Sequence, residues 1–256
     1  MPPTDLQLPF SLDMRRKTDL PGAEARLGYT FSDPSLGHIA LHPSKRGFSR
    51  LEFLGDAILS VVVFTLAEYE HHPRRGAKML VSNQRLREIY MNSFATYSPG
   101  NTGDVMEALV GAVYLDGGFL NAAGIITRAF ETGFSTFDHD LIATKARSFD
   151  PRGLMWIGAH VESAVVAEHL CTTAPGETHK FFSQQRSDIL LTSRLAERSR
   201  QLGLVEQCGE PKASTKKDAN DADMLDWHVG TLFLESGWDL AKPQILEILD
   251  IAELSV

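Results

Sequence analysis

An apolar helical run occurs twice in this chain, and each time a second run follows it. Residues 51–67 read LEFLGDAILSVVVFTLA and residues 154–170 read LMWIGAHVESAVVAEHL. At an offset of 103 positions, Gly55 falls on Gly158 and Val62-Val63 on Val165-Val166. The following run, DVMEALVGAVYLDGGF at 104–119, returns as DMLDWHVGTLFLESGW at 223–238. There the offset is 119, and Gly111 falls on Gly230, Leu115 on Leu234, Gly118 on Gly237 and Phe119 on Trp238. A pair of runs repeated in fixed register confines the fold to two copies of one module. The offset grows between the runs, so the second copy has the longer middle. The polar stretch CGEPKASTKKDANDAD, 208–223, reads as the loop that supplies much of it.

The period of the runs fixes the class. Leu51, Leu54, Ile58, Val61, Val62 and Leu66 share one helical face, as do Val105, Ala108, Leu109, Ala112 and Val113. Gly117-Gly118 reads as a helix stop, and the segment FLNAAGIITRAFETGF after it as another helix. Upstream, EARLGYTFSDPSLGHIALHPS reads as two short helices, with Asp33 capping the second ahead of Pro34. No alternating pattern is long enough for a sheet, so the class is all-α. The segment STFDHDLIATKARSFDPRG, 135–153, reads as a linker. The expected organisation is an N-terminal arm over 1–23, a first helical domain over 24–140 and a second over 141–256. Copies of one module are expected to pack as a pseudo-symmetric pair, like a homodimer fused end to end.

Four acids carry the chemistry. Glu52 and Asp56 are four positions apart, Asp104 and Glu107 three, so each pair projects from one side of its helix. If the two helices cross, four carboxylates converge and require a cation. An all-oxygen donor set without His or Cys suits Mg²⁺ or Mn²⁺. Such a centre activates water and stabilises displacement at phosphorus. Spacing alone leaves each acid equally readable as a solvated helix residue. The second copy departs: Met155 stands at the Glu52 position and Ala159 at that of Asp56, while Asp223 and Asp226 keep the other two. Two acids do not replace four, and a thioether is no ligand for Mg²⁺, so the second copy is read as catalytically dead. Trp156 and Trp227, at the positions of Phe53 and Ala108, are read as packing that fills the vacated site. His160 reads as a satisfied helix histidine rather than a ligand.

Composition removes other classes. Lys plus Arg is 25 against 33 Asp plus Glu, a net charge of −8, which excludes a polycation that coats nucleic acid by charge alone. It leaves a local basic strip open. Cys171 and Cys208 are too few for a disulfide framework and are read as thiols of a reducing, intracellular compartment, with Cys171 in a core or interface. No apolar run reads as long enough to span a membrane, and the N-terminus lacks the pattern of a secretory signal. His71-His72-Pro73-Arg74-Arg75 reads as a solvated turn, and Lys212, Lys216 and Lys217 as part of the polar loop.

RLEFLGDAILS resembles the signature helix of the ribonuclease III domain, and DVMEALVGAVYLDGG resembles its second acidic helix. LGYTFSDPSLGHIALHPS is similar to the start of that domain and LVSNQRLREIY to its middle helix. The resemblance covers residues 24–135 strongly and 145–251 weakly, and tandem copies in one chain resemble the arrangement in Dicer and Drosha. It implies an all-α fold that pairs through its signature helices, divalent-metal catalysis and double-stranded RNA as substrate. The family's metal-binding acids fall on Glu52, Asp56, Asp104 and Glu107, with Glu107 a bridging ligand. A Glu usually stands three residues before Glu52; here it is Ser49, and the 48 positions from Asp56 to Asp104 are few for the family. The implied function is an endoribonuclease with one live centre and one scaffold copy, which nicks one strand. Two chains paired through their first copies would make two cuts. A net negative charge implies a helper protein or ribonucleoprotein assembly. The alternative is a non-catalytic, RNA-binding or structural subunit, as this fold is used in mitochondrial ribosomes.

Overall fold

The computed structural model describes residues 19–72, 74–94, 102–129, 136–146, 149–207 and 217–251. Helices, with no strand among the described residues, make up the fold. In chain order they are α1 Leu20–Leu27, α2 Pro34–Ala40, α3 Phe48–Tyr69, α4 Arg74–Leu80, α5 Asn83–Phe94 and α6 Thr102–Ala129. After them come α7 His139–Ala146, α8 Pro151–Thr173, α9 His179–Ile189, α10 Thr192–Gln201, α11 Leu204–Gln207, α12 Lys217–Ser236 and α13 Trp238–Ile248. The all-α expectation therefore holds. Short polar side chains set the helix starts: Asp19, Asp33, Asp150 and Thr178 each accept a bond from a backbone N–H of the first turn.

Two helix crossings form the centre of the fold, α3 on α6 and α8 on α12. Both depend on glycine. A Cβ on Gly55 would run into the Glu107 carbonyl, and one on Gly111 into that of Leu51. In the second crossing, Gly158 meets the Asp226 carbonyl and Gly230 that of Leu154 in the same way. These are the four glycines aligned by the sequence repeat. Gly118 and Gly237 also match in conformation, with φ/ψ of 80°/−178° and 78°/171°. Only glycine adopts that backbone freely. Gly118 breaks α6 into two helical segments, as the Gly117-Gly118 stop predicts, and Gly237 separates α12 from α13.

The α3 and α8 helices pack against one another in antiparallel register. Near one end, the Cys171 thiol lies 3.5 Å from the Arg50 carbonyl oxygen; near the other, Glu68 covers Gly153. The 103-residue offset carries Arg50 onto Gly153 and Glu68 onto Cys171. The two contacts are therefore exchanged copies of each other. Aligned Phe119 and Trp238 stack face to face, centroids 4.7 Å apart and planes 8° from parallel. Trp238 Nε1 donates to the Tyr114 hydroxyl, which donates to Glu168, and Lys242 binds the same carboxylate at 2.9 Å. One continuous apolar core runs through both halves, and a smaller cluster of Leu195, Ala196, Leu204, Ala222, Met224 and Leu225 lies beneath α10.

The motif LGYTFSDPS has a structural task. Asp116, near the break in α6, accepts from the Tyr29 hydroxyl, Ser32 N and Asp33 N, each at 2.7 Å, and so pins the α1–α2 loop. Some boundaries differ from the sequence reading. The stretch read as a linker contains α7, because Ile142 buries against the core, and the division at 140/141 falls inside that helix. The 208–223 stretch ends in helix: Lys217–Asp223 open α12, where Asp221 is buried against Arg200 at the end of α10. Lys212, Lys216 and Cys208 lie outside the described residues, as does the arm up to residue 18. Leu20–Ala23, assigned to the arm, already belong to α1. Helix α6 is long and apolar enough, by length and composition alone, to cross a membrane, and 61% of its most apolar window is buried in protein. Its apolarity follows from its place in the core; the sequence reading missed it because acids and glycines interrupt the run.

Candidate metal centre

The α3–α6 crossing brings the acids together. Gly55 and Gly111 let the helix backbones touch, so side chains one turn away on either helix face a common point. Carboxylate oxygens of Glu52 on α3 and of Asp104 and Glu107 on α6 all lie within 4.8 Å of one another. Glu107 is buried at 5% exposure, and Glu52 and Asp104 are half-buried. Asp56, one turn further along α3, is half-buried and stands outside that trio.

Each charge here disfavours the next. Burial, then the charges of Asp56, Asp104 and Glu52, push the Glu107 carboxyl up to about 9. Burial, then Asp104 and Asp56, raise Glu52 to about 7. Asp56 is also raised by burial, although Arg186 and His179 on α9 act against the rise. A cluster that resists ionisation needs added positive charge, which a divalent cation supplies. Three hard oxygen donors, with no sulfur or imidazole among them, fit Mg²⁺ or Mn²⁺.

The corresponding place in the second half has different chemistry. Met155 and Ala159 occupy α8 where Glu52 and Asp56 occupy α3. Asp226 and Glu162 act on one another and both carboxyls are raised by burial, so this pair too resists ionisation, but without the acids that Glu52 and Asp56 supply in the first half. Sequence reasoning missed Glu162, which is 1% exposed. Its signal was present: at the 103-residue offset it aligns with Leu59, a buried apolar position. Trp156 packs on Phe64 of α3 at 4.4 Å, so its added size extends the α3–α8 contact. The His160 ring stacks on Phe64 at 4.0 Å, and burial, then the charges of Lys78 and Arg186, lower it to about 4. It is a neutral, packed histidine, in accord with the sequence reading.

Other expectations are settled nearby. Cys171 is buried where α8 meets α3. His71 and His72 are exposed, His71 at a positive φ of 58°, as a turn requires. Arg74 and Arg75 open α4, and their side chains lie outside the described residues. Ser49 sits half-buried in the first turn of α3. The α9 side chains near Asp56 went unrecognised, because no spacing rule links residues of one repeat to the site of the other.

No family model matches the chain. Several curated proteins named Ribonuclease 3 are similar to it. That of Methylocella silvestris is 34% identical over 145 residues, 46% of this chain and 61% of the relative. That of Jannaschia sp. is 32% identical over 154 residues, 50% of this chain and 68% of the relative. That of Francisella tularensis subsp. novicida is 28% identical over 213 residues, 74% and 89%. The chain thus spans between half and two thirds of the length of relatives such as those of Methylocella and Nitrobacter winogradskyi.

Proposed function

Given that the chain belongs to the ribonuclease III family, we propose that it is a divalent-metal-dependent endoribonuclease acting on double-stranded RNA, with one working centre at Glu52, Asp56, Asp104 and Glu107. The observation that carries the reading is the convergence of Glu52, Asp104 and Glu107 within 4.8 Å at a glycine-lined helix crossing. A Mg²⁺ or Mn²⁺ ion bound there would supply a water of lowered pKa and positive charge for displacement at phosphorus. The carboxylates of Glu52, Asp104 and Glu107 would hold such an ion. Glu107 is itself buried, and α3 and α6 fix the donors on rigid elements. Retention of all four acids on crossing helices speaks against the non-catalytic subunit.

The second half acts as a scaffold paired with the first. The exchanged contacts Arg50–Cys171 and Glu68–Gly153, and the stacked equivalents Phe119 and Trp238, support a pseudo-twofold arrangement of this kind. One working centre then nicks one strand per engagement. Binding of the polyanion to a chain of net charge −8 calls for a helper protein or ribonucleoprotein assembly. An enzyme of this kind would work inside the cell.

The test is cleavage of a long RNA duplex, each strand labelled separately, in Mg²⁺, in chelator and with Glu107→Gln. Metal-dependent cuts on one strand, lost in the variant, are expected. Paired cuts would transfer the reading to two chains joined through their first halves. A folded protein that binds duplex but cuts nothing in Mg²⁺ or Mn²⁺ would overturn the enzymatic reading.

A further inference from the structure

A cavity of about 500 Å³ opens on the seam between the two halves, beside the backbone breaks at Gly118 and Gly237. The stacked rings of Phe119 and Trp238, one from each half, form its floor. Leu120 and Leu240 line it while remaining 64% and 66% exposed. Apolar surface left in water beside a cavity gains from a covering group. Asp138 and Asp140, at the start of α7, and Asp239 of α13 line the same opening, and all three are exposed. Among the described residues, no Lys or Arg lines it. An apolar trough with an acidic margin selects an occupant whose apolar side chains stand next to positive charge.

The chain carries such a segment just before Asp19, where the described residues begin. Leu6, Leu8, Phe10 and Leu12 fall at every second position, so an extended backbone puts them on one side. Pro9 among them disfavours helix and biases Leu8 toward extended backbone. Arg15, Arg16 and Lys17 come next, and Asp13 is the one acid between Leu6 and Lys17. Reach is sufficient. Helix α1 is about 12 Å long, and the loop at its far end is tied to Asp116, three positions before Phe119. The residues from Phe10 to Asp19 can span ~30 Å.

We propose that residues 6–17 dock along this seam as an extended strap, with Phe10 in the cavity between Leu120 and Leu240 and Arg15, Arg16 and Lys17 against Asp138, Asp140 and Asp239. The strap covers apolar surface of both halves and so ties them together at their helix breaks. The inference is independent of the metal centre.

The experiment uses the full chain. Ordinary and isotope-labelled protein are mixed and treated with a zero-length carbodiimide, which joins the Lys17 amine to a carboxylate in contact with it, and the products are mapped by mass spectrometry. Links from Lys17 to Asp138, Asp140 or Asp239 within chains of a single label are expected. Links that join the two labels would seat a second copy in the cavity and overturn the assignment. Brief trypsin treatment then reads the strength of docking. Cleavage after Arg15, Arg16 and Lys17 should be about tenfold or more faster in Phe10→Ser and in Leu240→Asp than in the wild type, the scale of one large apolar side chain lost from a buried contact. The double variant should be cut no faster than the faster single variant, because both changes remove the same contact. If Leu240→Asp does not fold, Leu120→Ser decides in the same way from the other wall. A wild-type chain cut as fast as Phe10→Ser, or one with no link from Lys17 to these acids, overturns the strap and leaves the nuclease reading intact.

Discussion

Glu107→Gln should stabilise the protein when metal is removed, and more so as pH rises. In the fold, Glu107 holds its proton up to about 9, against an ordinary value of 4.5. Between those values the folded state binds a proton that the unfolded chain has released. Stability is therefore full below the ordinary value and falls as pH rises toward the folded one, by ~1.4 kcal/mol per pH unit. Near pH 7.5, about three units above the ordinary value, Glu107 alone would cost ~4 kcal/mol. Water around the half-buried Glu52 and Asp104 screens the cluster and reduces this to about 2 kcal/mol. The glutamine amide would keep the shape of the protonated acid without the titration. Thermal melts in chelator should show the variant equal to the wild type near pH 5 and about 4–8 °C above it near pH 7.5, given the chain length. In saturating Mn²⁺ the order reverses, because ion binding stabilises only the wild type. A variant that melts below the wild type in chelator at every pH, or keeps the same decline with pH, would refute the reasoning.

Three further outcomes follow from the geometry. Gly158→Ala drives a methyl into the Asp226 carbonyl, so urea unfolding should show a loss of about 3 kcal/mol or more, with the α8–α12 crossing forced apart. Asp116→Ala removes the acceptor of Tyr29, Ser32 and Asp33 and should cost about 2 kcal/mol, with faster proteolysis between α1 and α2 as the local readout. Glu162→Gln removes a titration from the pair it forms with Asp226, both raised by burial. The wild-type pair favours the fold at low pH and less so as pH rises, so the variant should match the wild type near pH 5 and melt higher near pH 9.

The sequence made the helical skeleton legible because its signals are local. Apolar spacing located α3, α6, α8 and α12, and Asp33 and Gly118 announced a start and a break. The repeat went further: it paired Gly55 with Gly158 and Gly111 with Gly230 before any contact was known, and those residues make equivalent crossings. What escaped was non-local. Asp56 reads as one of four equal acids by spacing, yet the fold leaves it outside the close trio, within the electrostatic influence of Arg186, 130 positions away. Glu162 has no partner within its own helix turn; its meaning comes from Asp226 across the crossing. The polar composition of 208–223 suggested a loop throughout, but burial of Asp221 against Arg200 extends α12 back into it.

The contact between α3 and α8 joins two helices of one chain. In a dimer of separate chains, such a contact dissolves on dilution and every substitution in it appears on both sides at once. Here its strength is independent of protein concentration, and each side can change alone. Phe64 meets Trp156, while Phe53, at the position aligned with Trp156, remains a phenylalanine. A tether of this kind releases the two sides from self-complementarity, so one can be tuned for chemistry and the other for support without a compromise residue that must serve both.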